Sequence, residues 1–132
     1  MSGARILLVE DEEINRVLVR TILRRSTEPE LRAAHLLEAA NLGEAREYLA
    51  RDTVDVMLVD VQLPDGSGLA LASELSTTLA QDQRPRIIAL TGDVSASRRD
   101  EALAAGCDAF LDKPYTAGAL RDLVSKHLTA GR

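Results

Sequence analysis

Five polar side chains stand at the ends of short apolar runs in this sequence. Two acids follow the first run, one acid ends the third, a hydroxyl ends the fourth and an ammonium follows the fifth: Glu10 and Asp11, Asp60, Thr91 and Lys113. Three carboxylates held close together repel one another, and a hard divalent cation relieves that repulsion. Mg²⁺ with water ligands suits such an all-oxygen set. The lysine as a point charge and the threonine as a hydrogen-bond donor would add a site for an oxyanion such as phosphate.

Five repeats of one pattern position these side chains. In each repeat, a short β-branched or leucine-rich run precedes a longer segment of helical period. The predicted strands are 6–9, 31–39, 54–61, 86–90 and 109–112, and the predicted helices are 14–25, 41–51, 69–79, 95–105 and 116–128. The second strand has the weakest pattern, because alanine and charged residues fill it.

Local signals mark the ends of several elements. Asn41 followed by Glu44 predicts a capping box at the start of the second helix. Gly66 ends a Pro-Asp-Gly turn after the third strand. Gly106 fits a left-handed cap of the fourth helix, and Thr116 fits the N-cap of the fifth. In the first helix, four apolar residues fall on one face, which we expect to pack on the sheet: Ile14, Val17, Leu18 and Ile22.

Five βα units predict an α/β fold. Near-continuous apolar strands with helices between them indicate a parallel sheet covered on both faces. Right-handed crossovers then give an open, doubly wound sheet of five strands. The length suits one domain over 1–132, with a core of about 4–129. Ligands of such sheets bind beyond the carboxyl ends of the strands, so the five polar side chains should meet at one edge.

Composition narrows the classes of function. A formal charge of −5 and an aromatic content of 2% argue against a nucleic-acid surface, which needs basic groups and rings for stacking. The single Cys107 cannot form an internal disulfide and favours a reducing compartment, so we expect a cytoplasmic location. The run 6–9 is too short to cross a bilayer, and the first residues do not resemble a signal peptide, so no membrane association is expected.

Four motifs give the chain a resemblance to a known family. They are LLVEDEEINR at 7–16, MLVDVQLPDGSGL at 57–69, ALTGD at 89–93 and AGCDAFLDKP at 105–114. Each motif alone is moderately specific, but four in this order and spacing are specific together. The chain resembles the CheY-like receiver domain of the response regulators of two-component systems, from the first strand to the last helix. The resemblance implies a flavodoxin-like fold.

The resemblance also implies a role for each acidic residue. Asp60 corresponds to the aspartate that accepts a phosphoryl group and becomes an acyl phosphate. Glu10 and Asp11 correspond to the acidic pair that holds Mg²⁺, Asp11 directly and Glu10 through water. The backbone carbonyl of Gln62 corresponds to a further metal ligand beside the Asp60 carboxylate. Glu10 is longer than the aspartate often found first in the pair, which should alter metal geometry more than function.

Four other matches concern the phosphoryl group and the response to it. Lys113 corresponds to the lysine that pairs with the phosphoryl group, and Thr91 to the hydroxyl that meets a phosphoryl oxygen after transfer. Pro114 corresponds to a proline often preceded by a cis peptide. Phe110 stands at the position of an aromatic switch, and because it has no hydroxyl it can respond only by burial of its ring. The fourth helix, fifth strand and fifth helix would then change shape and meet a partner.

The implied function is a step in a phosphorelay. A histidine kinase or histidine phosphotransfer protein would supply the phosphoryl group, and a downstream effector protein or attached domain would read the result. A phosphorylation-dependent homodimer is one form that this output takes in the family. The chain would support only its own phosphorylation and dephosphorylation and is not expected to be an enzyme. Gln62 and Asp93 hold positions that influence hydrolysis of the acyl phosphate.

Other interpretations use the same residues. Haloacid-dehalogenase-type phosphatases also form an aspartyl phosphate, but they need a second acid two residues after the nucleophile, where this chain has Gln62. A scaffold that is never phosphorylated has no reason to hold a repulsive acid cluster. A free-standing regulator and the receiver part of a larger hybrid kinase or regulator both fit. Because no output segment follows Leu128, direct DNA binding is not expected, and Cys107 is expected to be a partly exposed thiol.

Overall fold

Strands and helices alternate along the chain in the computed structural model, which describes residues 3–80, 82–92 and 95–130. The strands are β1 (Arg5–Val9), β2 (His35–Ala39), β3 (Val56–Asp60), β4 (Gln62–Leu63), β5 (Gly66–Ser67), β6 (Arg86–Thr91) and β7 (Ala109–Asp112). The helices are α1 (Glu13–Arg24), α2 (Pro29–Arg32), α3 (Leu42–Arg51), α4 (Gly68–Thr78), α5 (Ala96–Ala104) and α6 (Ala117–Ala130). The predicted α/β alternation is confirmed.

Five of the strands form one parallel sheet in the order β2-β1-β3-β6-β7. The chain passes from β1 to β2 on one side and then returns to β3 on the other side of β1. This reversal opens a crevice beyond the carboxyl ends of β1 and β3, which is where doubly wound folds bind their ligands. Strands β4 and β5 form a short antiparallel pair directly after β3. The predicted doubly wound sheet of five parallel strands is therefore confirmed.

Helices cover both faces of the sheet because alternate strand residues point to opposite sides. Leu7 and Val9 of β1 pack with buried residues of α3, α4 and α5. Ile6 and Leu8 of the same strand pack on the other face with α1, α2 and α6. All four side chains are fully buried. Close packing on both faces holds the central strands in place, and with them the residues that follow.

Several predicted caps have the expected geometry. The Asn41 side chain accepts a hydrogen bond of 2.8 Å from the Glu44 N–H, and the Glu44 carboxylate accepts one of 2.7 Å from the Ala40 N–H. The second bond comes from the residue before the cap, one position earlier than in the usual capping box. Gly106 has a φ of +96°, the left-handed conformation expected after a helix. The Thr116 hydroxyl accepts a bond of 3.0 Å from the Ala119 N–H.

The second predicted strand is shorter than expected. Residues 31–39 were predicted to be one strand, but the short helix α2 includes Leu31 and β2 begins only at His35. Pro29 begins α2 at a position where its missing N–H costs no hydrogen bond. Leu31 is 1% exposed and packs into the core with α1 and α6. Burial of this one leucine, which depends on distant parts of the chain, explains the helical turn.

The face of α1 that packs on the sheet was predicted correctly only at Ile22. Ile14, Val17 and Leu18 are 71%, 39% and 47% exposed, whereas the buried residues of the helix are Val19, Ile22 and Leu23. Both sets have helical spacing, so periodicity alone could not decide which one faces the core. The helix thus leaves an apolar stripe in solvent, which we call the α1 stripe (Ile14, Val17 and Leu18).

Two residues outside the polar edge, Cys107 and His127, are buried. Cys107 is 6% exposed, not partly exposed as predicted, because the turn after α5 folds it under the sheet. Burial raises the pKa of its thiol to about 12. His127 of α6 is 7% exposed. Within the described residues, no helix has the length and hydrophobicity to cross a membrane.

Candidate functional site

Polar side chains from four strand ends meet at one edge of the sheet. Glu10 and Asp11 follow β1, Asp60 ends β3, Thr91 ends β6 and Lys113 follows β7. This is the edge where β1 and β3 diverge and where the crevice is expected. The five side chains predicted to converge therefore lie at the same edge.

An ion triple with two buried carboxylates and a partly buried ammonium lies at this edge. The Lys113 ammonium is 2.6 Å from the Asp60 carboxylate and 2.9 Å from the Glu10 carboxylate. Glu10 is 1% exposed and Asp60 is 8% exposed, so both charges lie largely out of water. Because buried carboxylates need partners, the ammonium between them stabilises both.

The backbone of neighbouring loops orients the two acids. The second oxygen of Asp60 accepts a hydrogen bond of 3.0 Å from the Gln62 N–H. The second oxygen of Glu10 accepts one of 3.1 Å from the Glu12 N–H. Each carboxylate thus has one oxygen turned toward Lys113 and the other held by a backbone N–H. This geometry limits the rotation of both side chains.

Three carboxylates are close enough to share a cation. One oxygen each from Glu10, Asp11 and Asp60 lies within 4.8 Å of the others. Glu10 and Asp60 are buried, and Asp11 is exposed, so the cluster opens to solvent on the Asp11 side. Three carboxylates and one ammonium leave the cluster negative overall. Such an oxygen-rich, negative cluster suits a hard divalent cation of the Mg²⁺ class.

The charges of the site shift the pKa of Lys113 upward. Burial of its ammonium lowers the pKa, but hydrogen bonds and charge attraction from Asp60 and Glu10 together outweigh burial. Lys113 therefore stays cationic throughout the physiological range. Burial also raises the pKa of Tyr115, two residues farther on, and the negative charges of Glu10 and Asp60 add to that rise.

The predicted switch residues Thr91 and Phe110 lie on the neighbouring strands β6 and β7. Thr91 is 5% exposed, and its backbone carbonyl accepts a hydrogen bond of 2.8 Å from the Lys113 N–H. Phe110 of β7 is half-buried, and the Arg99 guanidinium of α5 lies 5.0 Å from its ring centre. The peptide between Lys113 and Pro114 is cis, as the resemblance implied. The predicted position Asp93 lies outside the described residues.

Gly68 is a site residue that the sequence analysis missed. It begins α4 directly behind Asp60, and a Cβ atom there would overlap the Asp60 carbonyl oxygen and the Val59 side chain. Only glycine lets α4 start so close to the end of β3. The signal was available, since a glycine eight residues after the candidate nucleophile opens the next helix.

A hydrogen-bonded turn supports the same region from the other side. The Asp65 carboxylate accepts bonds of 2.9 and 3.2 Å from the N–H groups of Leu42 and Gly43, at the start of α3. The bond from Leu42 is the main cause of the lowered pKa of Asp65. This contact ties the turn after Asp60 to the start of α3.

The chain is similar in sequence to known proteins. Residues 6–125 match the family model described as the response regulator receiver domain. The chain is 38% identical over 130 residues to the response regulator protein PilR of Pseudomonas aeruginosa, covering 97% of this chain and 27% of PilR. It is 33% identical over 127 residues to the aerobic respiration control sensor protein ArcB of Escherichia coli K12, covering 96% of this chain and 15% of ArcB. The chain thus spans only a small part of these relatives.

A solved structure shares the fold. The receiver domain of sensor histidine kinase PA1611 from Pseudomonas aeruginosa PAO1 superposes with a TM-score of 0.80 at 26% identity, covering 97% of this chain and 99% of that one. It was solved with a magnesium ion coordinated in its active site cleft. The family model covers nearly all of the sheet and the cluster at its edge. The chain therefore belongs to the response regulator receiver domain family.

Proposed function

We propose that this chain is a single receiver domain that takes a phosphoryl group onto Asp60 and so changes its binding to a partner. The main observation in support is the cluster itself, in which Asp60 lies 2.6 Å from the Lys113 ammonium and within 4.8 Å of two further carboxylates. A nucleophilic carboxylate beside a fixed cation and a cation-binding acid pair matches the needs of phosphoryl transfer. Membership of the receiver family supports the same assignment.

In the proposed reaction, a carboxylate oxygen of Asp60 attacks the phosphorus of the donor in line. The bond from phosphorus to the donor's imidazole nitrogen breaks, and that nitrogen keeps the electron pair. The product is a mixed anhydride of Asp60 and phosphate. The Gln62 N–H and the Lys113 ammonium hold the two oxygens of Asp60 before attack. Rotation of the nucleophile is thereby restricted in advance, which lowers the entropic cost of the reaction.

Glu10, Asp11, Asp60 and the backbone carbonyl of Gln62 are proposed to hold Mg²⁺. When bound, Mg²⁺ neutralises charge on the phosphoryl oxygens. The Lys113 ammonium is placed to leave its contact with Asp60 and pair with the phosphoryl group, which keeps a charge partner for Glu10 nearby. The Thr91 hydroxyl then donates a hydrogen bond to a phosphoryl oxygen.

Output is proposed to run through the face formed by α5, β7 and α6. Thr91 and Asp112 are paired in register on β6 and β7, so a shift of Thr91 reaches β7 directly. Phe110 lies on β7 two residues before Asp112, with its ring half-buried and Arg99 above it. Movement of this ring toward Thr91 would release the Arg99 contact and change the face that an effector protein or attached domain meets.

The phosphoryl donor is proposed to dock on the α1 stripe. A donor histidine on a protein must reach Asp60, so the donor needs a surface beside the crevice. Helix α1 starts at Glu13, two residues after Asp11, and its stripe presents Ile14, Val17 and Leu18 to solvent. Exposed apolar side chains grouped beside a site are typical of protein contacts. A histidine kinase or histidine phosphotransfer protein is the partner that this arrangement suits.

Intact-mass analysis after incubation with acetyl phosphate and Mg²⁺ tests the proposal. We expect the wild type to gain one phosphoryl group that neutral hydroxylamine removes, as it removes acyl phosphates. The Asp60→Asn variant should gain none, because an amide is not a nucleophile. Asp112→Asn is the matched control, since this exposed acid also ends a strand at the same edge. It should be labelled like the wild type.

Two other results would reject the proposal. Equal labelling of Asp60→Asn and wild type would place the phosphoryl group elsewhere. A wild type that neither gains mass nor binds beryllium fluoride with Mg²⁺ would be an interaction scaffold. The beryllium fluoride test shows whether a missing mass gain is due to rapid hydrolysis, because beryllium fluoride mimics the phosphorylated state and is not hydrolysed. Release of phosphate from unrelated phosphomonoesters would instead favour the phosphatase alternative.

A further inference from the structure

The side chain of Arg16 joins three elements around the acid pair. Its guanidinium donates a hydrogen bond of 2.8 Å to the backbone carbonyl of Glu10. The same group lies 3.7 Å from the Glu38 carboxylate at the end of β2. The Arg16 side chain is 18% exposed, so these contacts are partly shielded from water. Arg16 thereby connects α1, the loop after β1 and the edge strand β2.

The position of Arg16 in α1 explains how it reaches backward. Arg16 is the fourth residue of a helix that starts at Glu13, and helical side chains point toward the N-terminus of their helix. The loop that holds Glu10 and Asp11 lies at that end. A cation in the first turn is disfavoured by the helix dipole, and Arg20 adds a like charge one turn later. The contacts with Glu38 and Glu10 offset both penalties.

Arg16 supplies the partner for the carbonyl of Glu10. The N–H of Glu10 donates a bond of 2.9 Å to the Ala39 carbonyl, and its carboxylate binds Lys113 and the Glu12 N–H. The carbonyl belongs to the planar peptide that joins Glu10 to Asp11. Holding this oxygen therefore fixes the orientation of the peptide between the two acids.

We propose that Arg16 is a positioning residue for the cation site, because it fixes the Glu10–Asp11 peptide and with it the directions of both side chains. This inference rests on the proposed function, in which the two acids hold Mg²⁺. Arg20 has the supporting role of holding Glu38, through two hydrogen bonds of 2.8 Å each. Glu38 in turn anchors the Arg16 guanidinium from the side of β2.

The direction in which Mg²⁺ affinity changes when Arg16 is replaced shows whether Arg16 acts by positioning the acids or only by its charge. Arg16 is a cation near a cation site, so if it acted by charge alone its removal would tighten Mg²⁺ binding. If Arg16 acts by positioning, its removal frees the peptide and weakens binding. Loss of a group that orients metal ligands costs about 10–100-fold in metal affinity. The two roles thus predict opposite results for the same variant.

The experiment measures Mg²⁺ affinity by calorimetric titration of the full chain. We expect Arg16→Met to weaken Mg²⁺ binding about tenfold, the lower end of that range, because the acids themselves remain. Arg16→Lys should recover part of the loss, since one ammonium can still donate to the Glu10 carbonyl. Arg24→Met is the matched control, because Arg24 is an exposed cation in the last turn of the same helix. It should stay within about twofold of wild type.

A second readout follows labelling by acetyl phosphate against Mg²⁺ concentration. Arg16→Met should reach the wild-type rate at saturating Mg²⁺ but need a higher concentration to do so. Unchanged or tighter Mg²⁺ binding by Arg16→Met, or equal weakening by Arg24→Met, would overturn the inference. Should Arg16→Met fail to fold by circular dichroism, Arg16→Lys decides the question by the same titration, because it keeps the charge and changes only the donor geometry. Weaker Mg²⁺ binding by Arg16→Lys would then support positioning, and unchanged binding would overturn it. A wild type that binds no Mg²⁺ would instead reject the proposed function itself.

Discussion

At the scale of single residues, Lys113 holds the site together before any cation binds. Its ammonium lies between Glu10 and Asp60, which come from different strands and would otherwise repel each other across a buried gap. A divalent cation bound to the same acids would also reduce the repulsion between them. Lys113 and Mg²⁺ are therefore partial substitutes in neutralising the cluster, and the strength of each depends on the other.

Replacement of Lys113 by methionine should destabilise the chain most when Mg²⁺ is absent. The variant leaves two buried carboxylates without their cation, which costs about 2–3 kcal/mol, somewhat less than for a fully buried pair. Mg²⁺ should recover much of this loss and bind the variant more tightly than wild type. Urea denaturation of both proteins with and without Mg²⁺ measures the effect. The control is Lys126→Met on the exposed side of α6. If Mg²⁺ left the difference in free energy of unfolding between wild type and Lys113→Met unchanged, the idea that Mg²⁺ and Lys113 neutralise the same acids would be contradicted.

At the scale of elements, α1 carries two apolar stripes with different tasks. Val19, Ile22 and Leu23 pack on the sheet, and the α1 stripe of Ile14, Val17 and Leu18 stays in solvent. A helix on the face of a sheet needs only one apolar stripe for packing. The second stripe is not part of the core, and its place beside the acidic cluster supports the proposal that the phosphoryl donor docks there.

Removal of two side chains of the stripe should separate docking from chemistry. The double variant Ile14→Ala, Leu18→Ala should keep its free energy of unfolding within about 0.5 kcal/mol, because both residues are exposed and alanine favours helix. Labelling by acetyl phosphate should be unchanged, since a small donor needs no docking surface. Transfer from a phosphorylated histidine phosphotransfer protein that labels wild type should fall about tenfold in kcat/KM. Leu103→Ala is the control, because Leu103 is 66% exposed on α5. An equal loss with both donors would argue against docking.

The elements and their caps could be predicted where one residue type determines local geometry. Asn41, Gly106 and Thr116 each act on backbone groups within a few positions, so their effects are visible in the sequence. The turn of α2 could not be predicted, because the burial of Leu31 depends on α1 and α6. The orientation of α1 failed for the same reason. Contacts among distant residues decide both cases.

The site could be predicted as a group but not as a set of contacts. Parallel strands end at one edge, so the convergence of the polar residues follows from the alternation of strands and helices. The double contact of Lys113 could not be inferred, since it joins residues 103 and 53 positions apart. The link from Arg16 to the Glu10 carbonyl and the close approach at Gly68 were missed as well. These contacts depend on where helices begin relative to the strand ends.

At the scale of the whole molecule, the polar edge has a counterpart at the opposite end of the sheet. There His127 of α6 lies among the starts of the strands, near Asp108 and Arg86, which form an ion pair of 3.4 Å. Within the described residues, neither ring nitrogen of His127 has a hydrogen-bond partner. A buried, unpaired imidazole favours its neutral form. Protonation of this residue is thus coupled to folding rather than to the chemistry at the other end.

Stability should therefore fall as the pH drops below the ordinary pKa of histidine, and His127 should cause part of that fall. Burial lowers the pKa of His127; the charge of Asp108 opposes this, and those of Arg86 and Lys126 add to it. Because the folded state binds the proton less readily than the unfolded state, the contribution of His127 is full above about pH 6.5 and is lost on acidification. Urea denaturation of wild type, His127→Leu and His35→Leu between pH 5 and pH 8 measures it.

The His127→Leu variant should depend less on pH in this window than wild type, by a slope of at most one proton. It should be at least as stable as wild type near pH 5.5, because leucine fills a similar volume and needs no partner for a ring nitrogen. His35→Leu should follow the wild-type slope more closely, since His35 is exposed at the start of β2. Parallel curves for wild type and His127→Leu would show that the imidazole has a partner or a water at both pH values, and the coupling of its protonation to folding would then be wrong.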